Sequence, residues 1–589
     1  MTETVLIAAA IGVPVAALLL ASAFESARRV ADVASLSIVI LLLCGWLIDA
    51  SPGRVTVVSL LSTSWLHVAG VPPIDIGGQL SVQPTSVVLV ILALLALWVS
   101  VHFGRSRAAS SQSPPSDVLL RQLLLTSGAF SSDLVVILMS WLVTDAVIDW
   151  QRARVNSESP SALPPLRLTS LLLLVAVVVM SARYHTTDVA TLLEAMRADE
   201  RIDAVAVRGG LAICMAAAIA FRCGQFPAVL WVKRLTAGSS QIGVSHLLTI
   251  IVPAFVLAVR LSPLWPLAPE AGSLFATLGA LTSVTMGLTA CSTKRFNELP
   301  PIVCVMLCGQ ALICCGSPFP QAAVSAGVSL LIGLVGLSFL EGRLSRLSNY
   351  GQGVALMATL WGPASLAAAM PMSGTEPSPD AGPELTVVWA AMMLGQLLLC
   401  FAFVRACWAD RDSDDSTESS IADRQWASRV GYLFVCATIA CVLWATGNGR
   451  RIAANTTPAT IPTPSSGIEI LLAGLLGVVP ALLLFERFVP LRQSLAQRFD
   501  SLLRVAREWW FAEELAQFLI VRPLRVVAIV IEFIDRRLLG GGRDDAWIEP
   551  GTRFAHLIDS VRVAEPKFYA IAIAWAVAGL IVAMTFGLR

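Results

Sequence analysis

Long apolar runs separated by short polar links recur along the whole chain. About sixteen of them approach the ~20 residues that a helix needs to cross the hydrocarbon core of a bilayer. They run 4–23, 33–50, 83–103, 118–130, 132–150, 167–182, 204–221, 241–261, 272–291, 299–316, 320–341, 352–371, 385–406, 427–446, 467–488 and 568–587. The pattern predicts an all-α polytopic membrane protein, with the division at Ser131–Asp133 resting on three polar residues. Arg222 to Arg260 departs from it, because a proline, an arginine and a histidine sit inside apolar surroundings there. Pro227, three positions after Gly224, predicts a broken helix whose freed carbonyls need a protein-lined or watery cavity.

Composition agrees with the pattern. The chain is 56% hydrophobic and 14% charged, with a mean hydropathy of +0.75, which excludes an ordinary soluble globular domain. The net charge of +1 says little, but its distribution is informative. Loops after odd-numbered runs hold Arg28 and Arg29, Arg105 and Arg107, Arg152 and Arg154, Lys233 and Arg234, Lys294 and Arg295, and Arg343 and Arg346. By the positive-inside rule those loops are cytoplasmic and both termini face the other side, in a multi-pass protein of the cell inner (plasma) membrane. The charged stretch 183–208 and the pair Arg450 and Arg451 run against this bias. The first run follows only Thr2 and Glu3 and reads as a retained span, not a signal peptide. Polar, breaker-rich loops occupy 104–116, 371–383, 409–420 and 455–465.

No phosphate loop, dinucleotide fingerprint or nucleophile elbow is present in the sequence, and nothing in it points to nucleic acid. The twelve cysteines include Cys304, Cys308, Cys314 and Cys315 in an uncharged run without a nearby histidine. They read as small membrane-buried hydrophobes ahead of a metal or redox cluster, so no metal site is assigned.

Four ionisable residues fall at membrane depth or at its edge, where a charge costs at least a few kcal/mol and marks a candidate site. Asp145 lies one turn from Asp149 on the same helix face and reads either as an ion-path carboxylate or as a helix-packing polar group. Arg222 precedes the break. His246 follows it, and its imidazole titrates in the range that a proton path needs, although a lone histidine on an apolar helix is more often a packing group. Lys294 ends a run and reads equally as a snorkelling residue.

The order of these motifs resembles the subunit L, or subunit 5, family of proton-pumping NADH:quinone oxidoreductase, which is related to Mrp-type cation antiporters. Asp133 and Leu134, Trp141, then Gln225, Phe226, Pro227 and Trp231, then Gly238, His246 and Thr249, follow that family's sequence of motifs. CSTKRF (291–296) is similar to its Gln-x-Asp-Ile-Lys-Arg, with Lys294 on the lysine. LWGPASL (360–366), with Gly362 and Pro363, repeats the interruption of CGQFPAVLW. The basic, partly amphipathic stretch 507–542 and the final run resemble the family's lateral helix and terminal span. Leu142 stands where the family's Trp-Glu glutamate belongs, and Arg222 replaces the broken-helix lysine. An arginine holds its proton where a lysine can surrender one, so Arg222 reads as a barrier or as an ion-pair partner of Asp145 ahead of a proton carrier. Residues 299–340 carry no charge or histidine, so the second half keeps the scaffold without its titrating groups.

The resemblance implies N-terminal helices over 1–116, inverted antiporter-like repeats over 117–261 and 272–406, a C-terminal pair over 427–488, a lateral region over 489–565 and a terminal helix over 566–589. It implies a membrane-arm subunit in a respiratory complex, moving protons by way of Asp145, Arg222, His246 and Lys294. NADH, FMN, iron–sulfur centres and quinone would belong to partner subunits, with no cofactor in this chain. The alternative is a non-pumping paralogue that scaffolds or couples another complex, such as an inorganic-carbon uptake system. A standalone sodium/proton antiporter is disfavoured by the missing acid and lysine pairs.

Overall fold

The computed structural model describes residues 56–66, 74–82, parts of 89–97, 115–155, 164–199, 201, 204–236, 244–293, 299–316, parts of 387–402, and 497–507. Lys294, Gly362, Pro363, most of the second repeat and both termini lie outside the described residues.

A ladder of helices makes up most of what is described: α1 (Pro115–Phe130), α2 (Leu134–Val155), α3 (Pro164–Tyr184), α4 (Val189–Ala198), α5 (Ala204–Arg222), α6 (Leu230–Thr236), α7 (Val244–Arg260), α8 (Pro269–Ser292), α9 (Leu299–Cys315) and α10 (Asp500–Arg507). Four windows are long and apolar enough to span a membrane, at Leu134–Gln151, Leu166–Tyr184, Ala204–Arg222 and Pro269–Ser292. They coincide with runs read from the sequence, and the apolar helices α7 and α9 fall on two more. The division between α1 and α2 falls at Ser131–Asp133, as the polar residues there predict.

An antiparallel hairpin is the exception to the helical pattern. Strands β1 (Thr56–Leu66) and β2 (Ile74–Val82) pair from Thr56 opposite Val82 to Leu66 opposite Ile74. They occupy a stretch that the apolar runs pass over.

Two helix starts, those of α2 and α4, are tied together. SSDLVV (131–136) and TTDVAT (186–191) are similar in sequence, and each aspartate caps the helix that follows it. Asp133 Oδ1 accepts from Val135 N (2.8 Å), and Asp188 Oδ2 accepts from Thr191 N (3.0 Å), filling donor positions that a helix start leaves open. Leu134 N donates to Thr187 O and Val189 N to Ser132 O, both at 2.9 Å, so the two caps lie side by side. Thr187 Oγ1 donates to Asp133 Oδ2 at 2.6 Å, and Arg260 at the end of α7 donates to Ser131 O. Asp133→Ala removes both the cap and the Thr187 bond, so it should destabilise the protein by about 1–2 kcal/mol. Thermal unfolding in nanodiscs checks this; an unchanged midpoint would show the cap to be dispensable.

Helices α8 and α9 approach closely because glycines face one another. A Cβ on Gly272 would stand 2.6 Å from Gly316 O, and one on Gly309 would stand 2.6 Å from Gln225 Oε1. Such close approach of small residues is how helices gain contact area in a bilayer, where no hydrophobic effect drives them together. It seats α9 directly against the loop that interrupts α5 and α6. The helix α10 packs against α8.

Candidate functional site

The break between α5 and α6 is built as a closed cap. Gln225 N donates to Ala220 O (3.0 Å) and Gly224 N to Phe221 O (3.1 Å), the paired bonds of a Schellman motif. Gly224 supplies the left-handed residue at φ 74° that this motif requires. The peptide bond Phe226–Pro227 is cis. Side chains satisfy backbone groups that the interruption frees: Trp231 Nε1 donates to Phe221 O (2.9 Å), Gln225 Nε2 donates to Cys223 O (3.1 Å), and Thr282 Oγ1 accepts from Phe226 N (2.9 Å). Protein groups, among them Thr282 of α8, therefore take the place of water that an open break would need.

Arg222 ends α5, where its positive charge faces the negative end of the helix dipole. Its guanidinium forks onto Asp145 of α2: Nη2 donates to Oδ1 at 2.9 Å and Nη1 to Oδ2 at 3.2 Å. Nη2 also reaches Trp141 O (3.2 Å), and Nη1 reaches Ser170 Oγ of α3 (3.4 Å). The Trp141 ring lies under the guanidinium, 4.5 Å from Cζ to ring centroid. Side-chain exposure is 1% for Arg222 and 5% for Asp145, so the pair is desolvated and each charge depends on the other.

His246 lies in a second polar cluster. Its Nδ1 stands 3.3 Å from Arg121 Nη1 on α1, and its Nε2 stands 3.2 Å from Gln151 Oε1 on α2. All three side chains are buried. Asp133 at the cap of α2, and Asp145 and Gln151 along it, place polar groups at three heights, about 18 Å and then ~9 Å apart at the usual helical rise.

Of the residues singled out from the sequence, Asp145 and Arg222 meet directly, and Gly224 and Pro227 form the break beside them. His246 is buried but contacts Arg121 and Gln151 instead of that pair. Asp149 is partly exposed and pairs with Arg167 of α3 at 3.1 Å. Leu142 points outward at 42% exposure, so the carboxylate lost at that position would not have faced Arg222; Asp145, three residues on, takes the inward place. Arg121 and Gln151 were missed because polar residues near the ends of apolar runs read as solvated. The cysteines at 304, 308, 314 and 315 are all buried, and no metal-holding group of His, Cys, Asp or Glu exists among the described residues. A surface pocket of about 460 Å³ lies between the end of α3 and the end of α4, lined by Tyr184, Ala195, Ala198, Asp199 and Arg201 and by none of the Arg222 or His246 contacts.

No protein-family model and no curated protein matches the sequence. Solved structures do match. A chain of the Mrp complex from Dietzia sp. DQ12-45-1b is similar with a TM-score of 0.63 and 18% identity, over 99% of this chain and 63% of that one. This chain shares the fold of that membrane-complex chain. A chain of the membrane-bound sulfane sulfur reductase, an archaeal respiratory membrane complex, is similar with a TM-score of 0.61 and 14% identity, over 96% of this chain and 100% of that one. Both neighbours come from multi-subunit membrane complexes. At these identities the likeness shows the fold alone, and this chain spans 63% of the Mrp chain's length.

Proposed function

We propose that this antiporter-like subunit belongs to the membrane arm of a proton-translocating NADH:quinone oxidoreductase-type complex and takes part in proton transfer. NADH, FMN, iron–sulfur centres and quinone belong, on this reading, to partner subunits. The observation that carries it is the buried Asp145–Arg222 pair set against a broken helix, since ionisable groups are kept in apolar surroundings mainly where ions pass. His246 and Lys294 extend the proposed path, with Gly362 and Pro363 proposed as the second repeat's counterpart of the interruption. The charge distribution supports an inner-membrane protein with both termini on the non-cytoplasmic side.

A second reading rests on the closed fork itself. With a guanidinium that keeps its proton held to both carboxylate oxygens, the pair is built to stay shut, as a non-pumping scaffold or a coupling subunit of another complex would have it. Proton flux into vesicles carrying the native assembly separates the two. Asp145→Asn keeps the shape and removes the charge, and it should lower flux at least about tenfold, within the ~10²-fold or more that a positioned proton-transfer group contributes. Flux equal to wild type in both Asp145→Asn and His246→Gln would remove these residues from any path. Co-purified flavin and iron–sulfur subunits support the first reading; their absence from the native assembly favours the second.

A further inference from the structure

Arginine carries only hydrogen-bond donors, and this fixes the state of His246. The ring nitrogen facing Arg121 Nη1 at 3.3 Å must offer a lone pair, so Nδ1 is unprotonated; Nε2 then carries the hydrogen and donates to Gln151 Oε1 at 3.2 Å. His246 is therefore neutral, in a single tautomer, while Arg121 holds this position. A proton cannot occupy Nδ1 at the same time as the guanidinium, because two donors and two positive charges would then meet inside the protein.

We infer that Arg121 is a gate on His246: guanidinium and proton exclude one another at Nδ1, so the imidazole loads a proton only when Arg121 withdraws. Among the charged side chains described on α2 and α5, which pack against α7, several hold partners of their own. Asp145 of α2 and Arg222 of α5 hold each other, Asp149 of α2 pairs with Arg167, and Arg208 of α5 donates to Met196 O. The ionisable groups of α9 are thiols. Arg121 stands directly against Nδ1 of the imidazole, and Gln151 Oε1 faces the opposite ring nitrogen. Arg121 acts through His246 and is a positioning residue. The inference rests on the proton-transfer reading for its purpose, but its geometry can be tested without measuring flux.

The full chain in lipid nanodiscs, labelled with ¹⁵N-histidine, provides the test. With five histidines in the sequence, the His246 resonances are assigned by their loss in His246→Gln. In wild type Nδ1 should give the signal of a bare ring nitrogen and Nε2 that of N–H, with under about one-tenth imidazolium at pH 6, where an unperturbed histidine would be ~three-quarters charged. Arg121→Gln should raise the imidazolium fraction at pH 6 to about one-half or more, and Arg121→Lys should restore the wild-type signal. A protonated Nδ1 in wild type at neutral pH overturns the inference even if Arg121→Gln fails to fold. An unchanged His246 spectrum in folded Arg121→Gln overturns it as well. Bare Nδ1 that gains its proton in Arg121→Gln, in a protein whose flux ignores Asp145→Asn, upholds the gate and removes the translocation reading; Asp145-dependent flux with Nδ1 unchanged in Arg121→Gln does the reverse.

Discussion

Arg222→Met should destabilise the protein by about 3–5 kcal/mol, the cost of leaving a buried carboxylate without its partner. The expectation follows from exposures of 1% and 5% on the two side chains. Water is not available to resolvate Asp145, and the bonds to Trp141 O and Ser170 Oγ disappear together with the fork. The double variant Asp145→Leu/Arg222→Met should recover most of that loss, because two apolar side chains of similar volume cost no desolvation. Unfolding followed by Trp fluorescence in nanodiscs measures the cycle. Equal stability of wild type and Arg222→Met would mean that the carboxylate finds water or another donor, and that the pair is not sealed.

The ion pair was legible in the sequence for the same reason that it is costly. An acid and a base stranded in apolar runs have few ways to be satisfied, and with Arg222 standing where the resembled family has a lysine, the sequence offers it as a barrier or as the partner of Asp145. The break was legible too, since Pro227 lacks a backbone donor and Gly224 tolerates the left-handed turn that ends a helix. What remained hidden depended on packing direction. Leu142 and Asp145 differ by three residues and nearly a full turn, yet one lies at the exposed surface and the other in the interior, a distinction that motif matching misses. Helix α4 lay concealed in a charged stretch: its buried positions Val189, Leu192, Leu193 and Met196 line one face, while charges elsewhere dominate the composition. Arg121 and Gln151 gain meaning only from His246, more than ninety residues away in the chain. The hairpin has no apolar run to announce it.

Arg222→Lys asks whether the guanidinium is a barrier. A lysine is a compact point charge on a flexible stem and lacks the planar fork, so it cannot hold both oxygens of Asp145 and Trp141 O in the same geometry. Stability should fall by about 1–3 kcal/mol as charge-assisted bonds are lost. Flux should move the other way. A buried ammonium can release its proton when desolvation disfavours the charge, whereas arginine holds its own throughout the physiological range. If the closed fork limits passage, Arg222→Lys should raise proton flux about tenfold, equivalent to ~1.4 kcal/mol off the barrier, and the double variant Asp145→Asn/Arg222→Lys should lose that gain because the proton then has no carboxylate to reach. Flux in Arg222→Lys at or below the wild-type level, in a protein that still folds, would show that the guanidinium is not what restrains conduction and would shift the weight to Arg121 and His246.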